Sequence, residues 1–304
     1  MDFLKYRYFF LTLSLVIIIS GLIVGFNGGF RFDIDFKGGT NIQVDLKEKF
    51  DNNKIDDIVN NAIGQKPLVQ KLGDDNTTVV SITTDTISNE QASQIVSKLK
   101  ENFPNMDDPS TKNVQPSFGK ELINSAIKAI VVSLVLILLY IFVRFKNLGF
   151  TAAITAIVAL LHDALIIIAF YAFLKLPINS TFVAVILTII GYSINDTVII
   201  YDRIRENKRK ITKNTNLKDT INESLTQTFR RTLYTSFTTI TAILIVYIFA
   251  YINHQTVLEE FSLPLTIGVI SGAYSSIFIA TSLWYITENW MNKRKDKKLN
   301  KKQA

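Results

Sequence analysis

The chain has 304 residues, 48% of them hydrophobic and 19% charged, and the charged ones are nearly missing from several long apolar runs. This excludes a soluble protein and fits a polytopic membrane protein, since about 20 consecutive apolar residues cross a bilayer as a helix. The absence of cysteine excludes disulfides, thiolate metal sites and cysteine nucleophiles, and two histidines, His162 and His254, offer little to a zinc ion. The net charge of +7 sits in particular loops and in the tail, so it reads as membrane topology rather than nucleic-acid binding.

Six spans are expected, at residues 9–26, 122–143, 150–174, 181–201, 233–252 and 263–286. The first follows Lys5 and Arg7 and lacks a small-residue cleavage site, so it is read as an uncleaved anchor rather than a signal peptide. Residues 27–121 form the only large loop, with 11 basic and 15 acidic residues. Strand-like stretches at 41–46, 67–72, 77–83 and 112–116 and helix-like stretches at 54–63 and 89–99 follow in the order βαββαβ, the ferredoxin-like split unit. Asn53 is the expected cap of the first helix, and Ser88 with Gln91 forms a capping box for the second. Gly73, Asp74, Asp75 and Asn76 make the turn of the middle hairpin. Ahead of the first strand, Gly38 and Gly39 allow a tight turn or hinge.

Lysine and arginine set the orientation. They crowd the segment 202–232 (Arg203, Arg205, Lys208, Arg209, Lys210, Lys213, Lys218, Arg230, Arg231) and the tail 287–304, whereas the loop after the fifth span carries Glu259 and Glu260 and no basic residue. Both termini are therefore expected in the cytoplasm and the large loop outside. The tail reads as a solvated, disordered end that touches anionic headgroups.

Polar groups inside lipid are functional suspects by default. The third span holds His162 and Asp163, the fourth Gly191, Ser193, Asn195 and Asp196, and the fifth opens with Arg230, Arg231, Thr232, Thr235, Ser236, Thr238, Thr239 and Thr241. With a rise of about 1.5 Å per residue, Asp196 lies roughly 8 Å from the inner face, and Arg231 stands at the inner mouth of the next span, within reach of it. Burial favours a carboxyl's neutral form and a nearby guanidinium its charged form, so a change in their separation changes proton occupancy. The hydroxyls of Thr235, Ser236, Thr238 and Thr239 suit water on a proton path. A purely structural ion pair is the competing reading. His162 and Asp163 are a weaker proton-path candidate: adjacent residues project about 100° apart on a helix, so they make no self-contained dyad. An intramembrane aspartyl protease needs two carboxylates close together; the same rise leaves about 12 Å between Asp163 and Asp196 along the membrane normal, and a Gly-x-Gly-Asp context is missing. Gly268, Gly272, Ala273, Ser275, Ser276 and Ala280 give the sixth span a small-residue packing face. No phosphate-binding glycine loop is present.

Five motifs in order carry a resemblance. They are Asp33 to Thr40; Pro116 to Leu122; His162 with Asp163; Gly191 to Thr197 continuing through Asp202 to Asn207; and Ser224 to Thr228 with Arg231 to Ser236. With these the chain resembles the SecF family of bacterial protein-export subunits along most of its length; Gln115 departs from it, standing where a glycine is common. The resemblance implies an all-α, six-helix half of a resistance-nodulation-division (RND) transporter bearing an α+β ferredoxin-like domain. It implies a non-enzymatic role without cofactor or metal, in which proton motive force helps to complete export. The implied partners are SecD, the SecYEG channel, YajC, unfolded exported chains and the lipid bilayer of the bacterial inner membrane. Asp196 then matches the family's proton-carrying aspartate and Arg231 its partner, with Asn195 beside them. The implied division is 1–26 for the N-terminus and first span, 27–121 for a periplasmic domain, 122–286 for the other spans with a basic loop at 202–232, and 287–304 for the tail. A half-size exporter of small molecules is the alternative; complete exporters of that type carry about twice as many spans, so this chain needs a partner under either reading.

Overall fold

The structure is a computed structural model that describes residues 2–72, 77–209, 216–253 and 255–303. The expected turn at Gly73 to Asn76, the basic residues Lys210 and Lys213, and His254 lie outside the described residues.

The first span is α1 (Arg7–Val24), preceded by a 3-10 turn at Phe3–Tyr6 and followed by a π-turn at Gly25–Gly29. A short β1 (Arg31–Phe32) and a one-turn α2 (Ile34–Lys37) lead into the loop domain. There β2 (Gly39–Asp45), α3 (Asn52–Ile63), β3 (Leu68–Lys71), β4 (Val79–Thr84), α4 (Asn89–Asn102) and β5 (Ser110–Val114) follow in chain order. The sheet is antiparallel throughout, in the order β3-β4-β2-β5. Alternate residues Ile42, Val44, Val80 and Ile82 pack against Ile55 and Val59 of α3 and Ile95 and Leu99 of α4 in one core. The opposite sheet face is polar, with Asn41 donating to Ser81 and Thr83. Ser88 and Gln91 form the expected capping box. The cap of α3 is Asp51 rather than Asn53, because the helix starts two residues earlier and the Asp51 carboxylate accepts from the Asn53 N–H.

The remaining spans are α5 (Pro116–Arg144), α6 (Phe150–Leu174), α7 (Ser180–Lys208) after a two-residue β6 (Pro177–Ile178), α8 (Leu217–Ile252), and a sixth span of α9 (Thr256–Tyr274) and α10 (Thr281–Gln303) joined by a π-helical turn, Ser275–Ala280. All six are long and apolar enough to cross a membrane. The enclosed helices are α6, α7 and α9, while α5 and α8 present broad exposed apolar faces. Glycine sets two helix contacts: a Cβ on Gly21 of α1 would lie 2.2 Å from Ala169 Cβ of α6, and one on Gly268 of α9 1.8 Å from Ile189 Cδ1 of α7.

Two expectations need correction. Residues 202–208 and 217–232 are helical extensions of the fourth and fifth spans, not a loop. Their charges are stitched together, Arg205 to Asp202 at 2.5 Å, Arg203 to Glu206 at 2.6 Å and Arg203 Nε to Gln227 at 2.6 Å, and i,i+3 pairs support a helix leaving the membrane. The tail continues as helix to Gln303 rather than as a disordered end, in keeping with the good helix propensity of its lysines.

Candidate functional site

Adjacent antiparallel helices place the polar residues at matching heights. Between α6 and α7, the Thr155 and Tyr201 hydroxyls meet at 2.9 Å and Ser193 Oγ donates to Asp163 Oδ2 at 2.6 Å. Between α7 and α8, Tyr192 donates to Thr239 at 3.3 Å and Arg203 to Gln227.

Asp163 is the hub of the bundle. It is fully buried and also accepts from Ser271 Oγ at 2.8 Å on Oδ1 and from Ser275 Oγ at 2.7 Å on Oδ2. His162 Nδ1 lies 3.1 Å from Oδ1, so the neighbours on α6 do meet: rotation of both side chains closes the gap that 100° of helix leaves. Three helices are thereby tied to one carboxylate, and such a group, fully satisfied, is tolerated in an apolar interior. Beside it Thr197 and Ser276 share a hydrogen bond of 2.8 Å, and Ser276 donates to the Ser193 carbonyl at 3.3 Å. Ser275 and Ser276 begin the π-helical turn of the sixth span, a distortion common at functional sites.

Asp196 is the opposite case. It is 1% exposed, and its Oδ2 is buried with no hydrogen-bond partner among the described residues. Interpolating between the Tyr192–Thr239 and Arg203–Gln227 contacts puts Asp196 level with about Thr235 of α8. At that height Thr232 Oγ1 and Ser236 Oγ are buried and unpartnered too. Buried polar atoms without partners are uncommon, and each calls for an explanation.

The expected partner is near but not joined. Arg231 is exposed and forms no ion pair with Asp196 within 4.0 Å, though its charge acts on it. Asn195 faces outward on an exposed stripe with Ser180, Ala184, Thr188 and Gly191. Thr235, Thr238 and Thr239 return their hydroxyls to their own helix, on Arg231, Tyr234 and Thr235 carbonyls. Only Ser236 of the expected hydroxyls is left open, and Thr232 joins it. The packing face read from the sequence includes Ser275 but not Ser271; the i,i+4 spacing of the two, which puts both hydroxyls on one face, is the signal that links them.

Asp163 touches Ser193, three residues from Asp196 on α7, so the two carboxyl groups differ in height by about one helical turn rather than 12 Å. The fourth helix runs on to Lys208, so Tyr201 does not mark its end. Among the described residues no group of His, Asp and Glu suits a metal ion. A cavity of about 870 Å³ opens on the side of the α/β domain, lined by Asp33, Lys37, Leu68, Gln70, Thr83 and Glu260. It is remote from Asp196.

The profile of the family described as protein export membrane protein SecD/SecF, C-terminal, matches residues 94–290. The chain belongs to the SecD/SecF family. The matched segment includes His162, Asp163, Asp196 and Arg231 and leaves out the Asp33 to Thr40 turn. Protein translocase subunit SecF of Alicyclobacillus acidocaldarius is 36% identical over 285 residues, covering 91% of this chain and 89% of the relative. SecF of Escherichia coli O157:H7 is 33% identical, covering 93% and 86%. Protein translocase subunit SecDF of Bacillus subtilis is 32% identical over 93% of this chain and 37% of its own length. Among solved structures, the crystal structure of SecDF from Thermus thermophilus, described as a translocon-associated membrane protein, superposes with a TM-score of 0.82 at 28% identity; 95% of this chain covers 39% of that one. The chain thus spans about two-fifths of the SecDF chains. It is a multi-pass membrane protein of the SecD/SecF family, whose relatives are protein translocase subunits.

Proposed function

We propose that this chain is a proton-coupled subunit of the Sec export machinery, acting with SecD to help complete the passage of secreted proteins across the bacterial inner membrane. The observation that carries the reading is Asp196: a buried carboxyl group whose Oδ2 has no hydrogen-bond partner among the described residues, on an enclosed helix, level with the Thr232 and Ser236 hydroxyls, which are likewise unpartnered there. Such a group is costly in one fixed charge state, and a nearby Arg231 that can approach or withdraw gives it two. One proton crossing 100 mV supplies about 2.3 kcal/mol, more than a tenfold shift in a conformational equilibrium.

SecD is the partner because the SecDF relatives hold a further stretch of chain beside the part matched here. The exposed faces of α5 and α8, and the small and polar stripe of α7, are the surfaces left for it. The bundle is then half of an RND-type transporter. The α/β domain, by its strand order, is ferredoxin-like and lies outside, with both termini and the arginine-rich ends of α7 and α8 in the cytoplasm. SecYEG, YajC and the unfolded exported chain complete the assembly.

The test is export in membrane vesicles carrying the SecD complex, with the ATP-driven step completed and a proton gradient then imposed. Asp196→Asn, assembled normally, is expected to lose the gradient-dependent part. Normal gradient-dependent export by that variant would refute the reading.

A further inference from the structure

The end of α7 that faces the α/β domain is held by two carboxylates from distant parts of the chain. Asp35 of α2 is 4% exposed. Its Oδ2 accepts from the Ser180 N–H at 3.0 Å and from Ser180 Oγ at 2.7 Å, and its Oδ1 pairs with Lys112 Nζ of β5 at 2.6 Å. Glu260 of α9 accepts from Asn179 Nδ2 at 2.6 Å, while Asn179 Oδ1 caps α7 by accepting from the Phe182 N–H at 3.2 Å. Both carboxylates thus sit at the positive end of the helix dipole. Burial pushes the Asp35 carboxyl up, but the Lys112 and Ser180 hydrogen bonds outweigh it and hold the group below its ordinary range. Asp35 is therefore an ionised, charge-assisted contact, the stronger class of hydrogen bond.

The segment that carries Asp35 is itself immobilised. Gly38 and Gly39 adopt φ of +79° and +144°, and a Cβ on Gly38 would lie 2.7 Å from Pro116, so the turn closes tightly onto the start of α5. On Gly119 a Cβ would meet the Phe36 carbonyl oxygen at 2.6 Å. The Asp33 N–H donates to the Ile178 carbonyl at 3.1 Å, and β1 pairs with β6 just before α7. Immediately after the turn the chain becomes β2, an interior strand of the sheet paired with β4 and β5. A rigid knot therefore joins the end of the first span, the sheet, the start of α5 and the connection into α7.

We propose that Asp35 is a positioning residue, a permanent clasp that makes the domain-side end of α7 and the α/β domain move as one body. Displacement of the helix that carries Asp196 is then delivered to the domain without loss. The clasp rests on the proton-coupled reading only for what drives α7; the contact itself is independent of it.

The chain has no cysteine, so a double variant, Asp35→Cys with Ser180→Cys, places a clean thiol pair across the contact. In the full SecD-containing complex, Asp35→Ala and the unbridged double variant are expected to assemble and to lose gradient-dependent export by about tenfold, the scale of one lost charge-assisted hydrogen bond. Bridging the thiols with dibromobimane is expected to restore export to within about twofold of the unsubstituted complex, because the contact never needs to open. Lys112→Met, at a side chain that is largely exposed, lowers export in the same direction by about threefold. Unchanged export in assembled Asp35→Ala, or a bridged protein no more active than the unbridged one, overturns the clasp. Asp196→Asn run alongside separates the two ideas: normal export there sinks the proton reading, whereas recovery on bridging still supports the clasp.

Discussion

Ser193 Oγ donates to Asp163 Oδ2 at 2.6 Å, and that bond sets the relative height of the two carboxyl groups in the site. It puts the satisfied carboxylate of α6 about one turn from the unsatisfied one of α7. Asp163 ties α6, α7 and the sixth span together, whereas Asp196 keeps a buried Oδ2 with no hydrogen-bond partner among the described residues.

If Asp163 is the tie, its loss strips an acceptor from Ser193, Ser271 and Ser275 together. Interhelical hydrogen bonds in membranes average about 0.6 kcal/mol. Ser271→Ala or Ser275→Ala is expected to cost about that much, and Asp163→Ala about 2 kcal/mol. Unfolding in mixed micelles titrated with a denaturing detergent measures it. Equal costs for the serine and aspartate variants would remove the hub.

Glycine positions separate contacts within the chain from those with a partner. Gly21→Ala drives a methyl group into the Ala169 backbone and is expected to cost about 1–3 kcal/mol. Gly191, which meets nothing within 4 Å, is different: Gly191→Leu should leave the isolated chain's stability unchanged and weaken co-purification with SecD. An unstable isolated chain would show that the stripe is not a partner surface.

The Asp35 clasp has a defined pH range. A carboxyl held below its ordinary value of 3.8 contributes stability that is present above that value and lost as pH falls through the folded-state value. Carbodiimide labelling of Asp35 should therefore stay low from neutral pH down to about 4 and rise only in stronger acid. Labelling that climbs already between pH 6 and 5 contradicts a lasting ion pair.

Much of the fold is legible in the sequence because its signals are local. Apolar runs longer than a bilayer mark the spans, and alternation with the Ser88–Gln91 box marks the elements of the α/β domain. The helical extensions to Lys208 and from Leu217 escape that reading, since charges are taken as loop signals until their i,i+3 partners are seen. In the site, Asp163 and Asp196 stand out as ionisable residues in lipid, yet their roles depend on the register between helices. No local rule gives that register: it places Ser271 and Ser275 on Asp163, turns Asn195 outward, and leaves Thr232 and Ser236 open beside Asp196. The tie between Asp35 and Ser180 spans 145 residues, beyond the reach of any pattern along the chain.

Arg231 is expected to act by charge and reach rather than by a fixed contact. Arg231→Lys, which keeps both, should retain most gradient-dependent export, and Arg231→Met should lose it at normal assembly. Equal activity of the two variants would leave Arg231 as a topology signal only.

The central claim is a change in the proton occupancy of Asp196, and infrared difference spectroscopy of the complex with ¹³C-labelled aspartate reads it directly. Imposing a proton gradient should change an isotope-shifted carboxylic acid band, and the change should vanish in Asp196→Asn while persisting in Asp163→Asn. A difference spectrum that is the same with and without Asp196 would contradict the account.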